Sequence, residues 1–141
     1  MRTQFRAALA GAAVLTMTFT PVIADATPGR GVTGTIIAKT TVGDTDYTLR
    51  RIVIDPGGST GWHYHDGMLY AAVEGGTLTH SDSTCKPDGI YSKGAVFTEP
   101  SDQVHIGRNL GTKPLVLNVL YVLPKGSPLA QDAPNPGCDF Q

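Results

Sequence analysis

From about Val32 onward the chain is a succession of short alternating apolar runs separated by glycine-rich turns, and this rhythm constrains its fold more than any other feature. Seventeen glycines and ten prolines in 141 residues argue for many turns and short strands, and once the N-terminus is set aside no long stretch has a helical period. Candidate strands are Val32–Lys39, Tyr47–Ile54, Thr60–His65, Leu69–Glu74, Thr77–Ser81, Gly94–Glu99, Val104–Asn109 and Leu115–Leu123. Eight strands with no helix between them suit an all-β, antiparallel jelly-roll barrel. Closure pairs nearly every strand edge and leaves an interior for side chains and one small ligand. In the last run, Leu115, Leu117, Val119, Tyr121 and Leu123 share one face, and Val116, Asn118, Leu120 and Val122 the other. Both faces being largely apolar, this strand is expected to be covered on two sides, with Asn118 a satisfied core amide or a cavity residue.

A chain of 141 residues is one domain by size. Its net charge of −1 and 16% charged residues offer no basic face for nucleic acid. Residues 1–26 read as a secretory signal peptide. Arg2 and Arg6 precede an uncharged run from Ala7 to Ala24, and Ala24-Asp25-Ala26 supplies the cleavage pattern. Thr16, Thr18, Thr20 and Pro21 weaken the competing reading as a membrane anchor. The expected mature protein is therefore residues 27–141, secreted or periplasmic and free of the membrane, with a Pro-rich C-terminal tail. Export makes Cys85 and Cys138 readable as one disulfide, since neither has another cysteine or a histidine within four residues. The bridge would close a loop of about 50 residues, worth at most ~4 kcal/mol in chain entropy.

His63 and His65 stand two apart in a candidate strand, so both project to one face. Neutral imidazoles converging on one point are what a transition metal requires. The pair alone is a weak signal. His105 adds weight from a second strand behind its own turn, PSDQVH, whereas His80, in THSDS, reads as exposed.

Gly57-x5-His63-x-His65, followed by Gly76, resembles the first cupin motif, G(X)5HXH(X)3,4E(X)6G. Gly94-x5-Pro100-x-Asp102-x2-His105-x3-Asn109 resembles the second, G(X)5PXG(X)2H(X)3N. The resemblance implies a small β-barrel whose interior holds one divalent metal, with His63, His65 and His105 as ligands. Two departures stand out. Asp102 replaces a glycine, a substitution that a left-handed turn tolerates. The motif glutamate falls on Leu69 or Tyr70, neither of which is a carboxylate.

Three replacements for that carboxylate remain open. Glu99 could reach the cavity as ligand or general base, although an edge or surface salt bridge is its plainer role. Met68 offers a thioether one residue out of register, and water would complete a three-histidine site. Imidazole-rich sites favour Zn or Cu, with Fe or Ni as alternatives. Trp62 and Tyr64 alternate with the histidines and should face away from them. Tyr70 and Tyr121 are candidates to line the pocket, and Arg50, Arg51 and Arg108 read as surface charges, Arg108 also as an anion site. The functional expectation is an exported cupin-domain protein that binds one metal and a small-molecule ligand. The alternative is a metal-dependent oxidoreductase of dioxygenase type, or an isomerase, on a small oxygen-rich substrate. Such barrels often pair through sheet edges, so a homodimer is compatible with the sequence, which does not fix the oligomer.

Overall fold

The computed structural model describes residues 27–141, and the segment read as a signal peptide lies outside the described residues. Ten strands and no helix make up the described fold: β1 (Arg30–Val42), β2 (Thr45–Ser59), β3 (His63–Tyr64), β4 (Met68–Gly75), β5 (Thr77–Asp82), β6 (Pro87–Ser92), β7 (Val96–Glu99), β8 (His105–Arg108), β9 (Leu115–Pro124) and β10 (Gln131–Asp132). All paired strands are antiparallel. One leaf runs β1-β2-β9-β4-β7 and the other β6-β5-β8-β3-β10. They join where Ser59 at the end of β2 pairs with Arg108 of β8, giving a nearly closed barrel. No helix among the described residues is long and apolar enough to cross a membrane.

Period-two alternation fills the space between the leaves. Ile52 and Ile54 of β2, Leu69, Ala71 and Val73 of β4, Leu78 of β5, Phe97 of β7 and the odd-numbered residues of β9 form the main core. Ile54, Leu69, Leu78, Leu115 and Leu123 are each buried to within 2% of completely. Burying a side chain of that size contributes about 2 kcal/mol. The expectation that β9 is covered on both faces is not met: Val116, Asn118, Leu120 and Val122 are only half-buried. They lie on the outside of the leaf, where Leu120 is flanked by Tyr70 and Leu49. Asn118 points outward with them and does not line the cavity. Its Oδ1 is buried without a partner, so it is not a satisfied amide.

Ten strands replace the expected eight for local reasons. Pro87, Asp88 and Gly89 read as turn formers, yet β6 is an edge strand that pairs only with β5, where proline costs no ladder bond. β10 sits in the Pro-rich tail, which carries no strand signal of its own. The expected strand Thr60–His65 shrinks to His63–Tyr64 because Gly61 turns the chain at φ +73°. A Cβ on Gly61 would lie 2.0 Å from the Thr27 carbonyl oxygen, so only glycine admits this crossing.

Beyond β9 the tail crosses back over the outer face of the second leaf. Trp62, Ile106 and Ala133 form a second apolar cluster there, with Tyr64, Val104, Cys138 and Phe140 packed against it. Trp62 stacks on Phe140 at 5.9 Å between centroids, and the Arg108 guanidinium lies 3.6 Å from the centre of the same ring. Arg108 thus packs on an aromatic face. A disulfide joins Cys85, in the turn between β5 and β6, to Cys138. It fastens the tail onto the barrel.

Candidate metal centre

Three strands bring the two motifs together. On β3, His63 stands directly across from His105 of β8 on one side and Asp132 of β10 on the other. His65 follows immediately after β3, and its carbonyl accepts a hydrogen bond from the Asp102 amide at 2.8 Å. Asp102 adopts φ +60°, so the left-handed turn survives the exchange of glycine for aspartate. Asn109, which ends the second motif, is wholly buried and structural. Its Nδ2 donates to the carbonyls of Ile54 and Lys113, each at 2.8 Å, and its Oδ1 accepts from the Gly111 amide at 3.0 Å.

The three imidazoles are wired alike. Nδ1 of His63 donates to the Gly61 carbonyl at 2.9 Å, that of His65 to Leu129 at 2.7 Å, and that of His105 to Gln103 at 2.8 Å. A carbonyl can only accept, so each Nδ1 carries the proton and each neutral ring keeps its lone pair on Nε2. Ring centroids lie 4.4 Å (His63–His105), 4.8 Å (His63–His65) and 5.2 Å (His65–His105) apart. The three donor atoms fall within 4.8 Å of one another, a grouping that could hold a metal ion. Burial and the neighbouring imidazoles push the His63 pKa down to about 3, so this ring is neutral across the physiological range.

The structure also corrects the sequence reading of two further residues. Glu99 lies on the edge strand β7, but not in a surface salt bridge; its side chain is 13% exposed and reaches into the histidine cluster. Its Oε2 lies 3.3 Å from Nε2 of His65 and 3.5 Å from Nε2 of His105, and its Oε1 lies 3.4 Å from Nε2 of His80. On β7, Glu99 is the direct cross-strand partner of Leu69, the position where the motif glutamate was expected. His80 is buried, not exposed, with Nδ1 bonded to the Asp88 carboxylate at 2.5 Å. Period two on β5 gives the signal that could have found it, since His80 shares a face with buried Leu78. Met68 and Tyr70 point outward at 37% and 51% exposure and take no part.

This arrangement has an electrostatic consequence. Nε2 of His65, His80 and His105 are buried without a hydrogen-bond partner. A carboxylate facing imidazole lone pairs at 3.3–3.5 Å is repulsive unless a cation or proton sits between them. Burial pushes the Glu99 carboxyl up, but with a proton on the facing Nε2 atoms His105, His65 and His80 outweigh it and hold the group well below the usual carboxylate range. For His80, burial acts downward, while Glu99 and Asp88 outweigh it and raise its pKa. Beside the cluster is a cavity of about 40 Å³, lined by Thr60, Leu78, Phe97, Leu117 and Tyr121 among others. It has room for roughly two or three waters. The Tyr121 ring packs edge-on against His65 with 5.8 Å between centroids.

The cupin domain profile matches residues 50–123, just over half of the chain and including both histidine motifs. The chain belongs to the cupin family. No curated protein matches this cupin in sequence. Among solved structures it is similar to the polyketide cyclase RemF from Streptomyces resistomycificus, at 17% identity and a TM-score of 0.61, covering 86% of this chain and 90% of that one. A cupin-like protein from Thermotoga maritima is 22% identical, with a TM-score of 0.59, and covers 74% of this chain and 77% of its own. KdgF from Halomonas sp. is 21% identical, with a TM-score of 0.53, and covers 64% and 77% respectively. At these identities the likeness is one of fold.

Proposed function

We propose that this cupin is an exported protein that binds one divalent transition metal through His63, His65 and His105, together with a small-molecule ligand at the same centre. The carrying observation is the common wiring of the three rings: each Nδ1 is committed to a backbone carbonyl, and each Nε2 faces one point. Hydrogen bonding of the distal nitrogen is the support that metal-bound histidines generally receive, because it fixes tautomer and orientation. Glu99 supplies the carboxylate that the first motif lacks and neutralises part of the ion's charge. A nitrogen-rich set favours Zn or Cu, with Fe or Ni as alternatives. When bound, the metal would supply a Lewis-acid centre. The disulfide is consistent with an oxidising compartment, which supports export to the periplasm or the medium.

The chain's own residues set what the centre can accept. The cavity of about 40 Å³ that His63, His65 and Glu99 help to line suits a very small ligand. One feature favours the enzymatic alternative, an oxidoreductase or isomerase: Glu99 is a buried carboxylate in contact with the histidines, where it could hold a proton for a reacting ligand. The experiment is elemental analysis of the mature protein from its own exported fraction, beside a His63→Ala/His105→Ala variant. About one equivalent of metal, lost in the variant, is expected. No metal in either protein, even after reconstitution, would leave the histidines as hydrogen-bonding groups of an apolar cavity.

A further inference from the structure

Every histidine in the chain, four in all, lies in this one cluster. His80 is the one that the cupin motifs do not account for, and three observations set it apart from a core histidine. It is 7% exposed, and its Nε2 is buried without a partner. Its Nδ1 is tied to Asp88, so it has the same wiring as the other three rings, with a carboxylate in place of a carbonyl. Its donor atom, one from Glu99 and one from His105 all lie within 4.8 Å of one another, in a second grouping that could hold a metal ion.

We propose that His80 is a fourth imidazole ligand, so that the pocket holds its ion with four histidines and Glu99. This rests on the metal reading above and extends it. The two groupings share His105, and an imidazole Nε2 has a single lone pair. They therefore cannot be two simultaneously filled sites built on His105. We therefore take them as one ion drawn from both sides, with His63 and His65 on one flank, His80 on the other, and His105 and Glu99, each within reach of His80, between them. The His80 ring lies nearly parallel to that of His105 at 4.8 Å, on the strand paired with β8, so both rings project from neighbouring strands into the same space. Glu99 spans the flanks, with one oxygen toward His65 and His105 and the other toward His80. Asp88, 42% exposed on β6, would strengthen His80 as a donor, as outer carboxylates do for metal-bound histidine. A set this rich in nitrogen moves the preference further toward copper, nickel and zinc and away from manganese.

The test uses the full mature chain and two ions alone, Zn²⁺ and Cu²⁺. X-ray absorption of the zinc form of the unaltered protein should count four imidazoles, and pulsed EPR of the copper form should lose one imidazole in His80→Leu. Zinc affinity measured by chelator competition should fall about 100-fold in His80→Leu and about tenfold in Asp88→Asn, which keeps the imidazole and loses only its outer partner. Three imidazoles in the unaltered protein, with zinc affinity in His80→Leu within about threefold of wild type, would overturn the inference while leaving the three-histidine centre standing. His80 would then be a residue that orients Glu99. No metal in the unaltered protein would overturn both readings. The imidazole count of the unaltered protein decides the matter even if His80→Leu does not fold.

Discussion

Replacing Cys85 and Cys138 together by serine should cost the protein much of its thermal margin and weaken its metal centre in the same step. The bridge spans 53 positions. A closed loop of that length removes about 14 cal/mol/K from the unfolded chain, or ~4 kcal/mol at 25 °C. Unfolding entropy of roughly 2.1 cal/mol/K per residue, taken over residues 27–141, converts this to a fall in midpoint of about 17 °C. That figure requires tail and barrel to unfold as one unit, which the packing supports. Leu129 joins the main core, Ala133 and the Phe140 ring complete the second cluster, and β10 pairs with β3. The tail also reaches the metal centre. Leu129 supplies the carbonyl that holds His65 at 2.7 Å, and Asp132 is the strand partner of His63. Loosening it should weaken zinc binding by about tenfold, the lower end of the cost of losing an outer partner. Calorimetry of the metal-free forms and chelator competition on the zinc forms measure the two effects separately. A midpoint lowered by less than about 3 °C, with zinc affinity unchanged, would show that the tail is a passive appendage and that the coupling argued here is wrong.

Chelator should lower the melting temperature of the metal-loaded protein but leave His63→Ala/His105→Ala unmoved. At free metal of about 100 times Kd the difference is ~2.7 kcal/mol, or about 10 °C, and equal shifts in both proteins would argue against the centre. Glu99→Gln keeps shape and loses charge. Zinc affinity should fall by at least roughly 10- to 100-fold, the scale for a mere outer partner, and competition titration measures it. Asp46 accepts hydrogen bonds from Thr41 Oγ1 at 2.5 Å and the Gly126 amide at 3.1 Å, with Lys39 at 3.7 Å, and these hold its carboxyl below the ordinary value of 3.8. A lowered folded pKa stabilises above the unfolded value and is lost as pH falls through the folded one. Asp46→Asn should therefore melt lower than wild type at pH 7, with the gap closing below about pH 4; a gap independent of pH would assign the effect to packing.

Local patterns in the chain carried a good deal of this. Alternation and turn residues specify strands because each depends on neighbours one or two positions away, and β2, β4 and β9 follow the pattern closely. Resemblance to the two cupin motifs singled out His63, His65 and His105, and the structure brings these three side chains together. Asp102, at positive φ, was readable as a turn position, whereas Gly94, read as the start of a strand, lies in the turn before β7. β10 was not, because its pairing with β3 is supplied by a tail that has no pattern of its own.

What only the tertiary structure decided is the rest of the centre. Glu99 faces the histidines because β7 pairs with β4 in a register that sets it opposite Leu69, some thirty positions away in the chain. His80 meets His105 because β5 pairs with β8, turning a histidine in a polar run onto the face of His105. Sequence determines which way a side chain projects from its own strand. Which strand lies beside it, and in what register, is settled by closing the sheet around one shared core, and no local stretch of the chain contains that information.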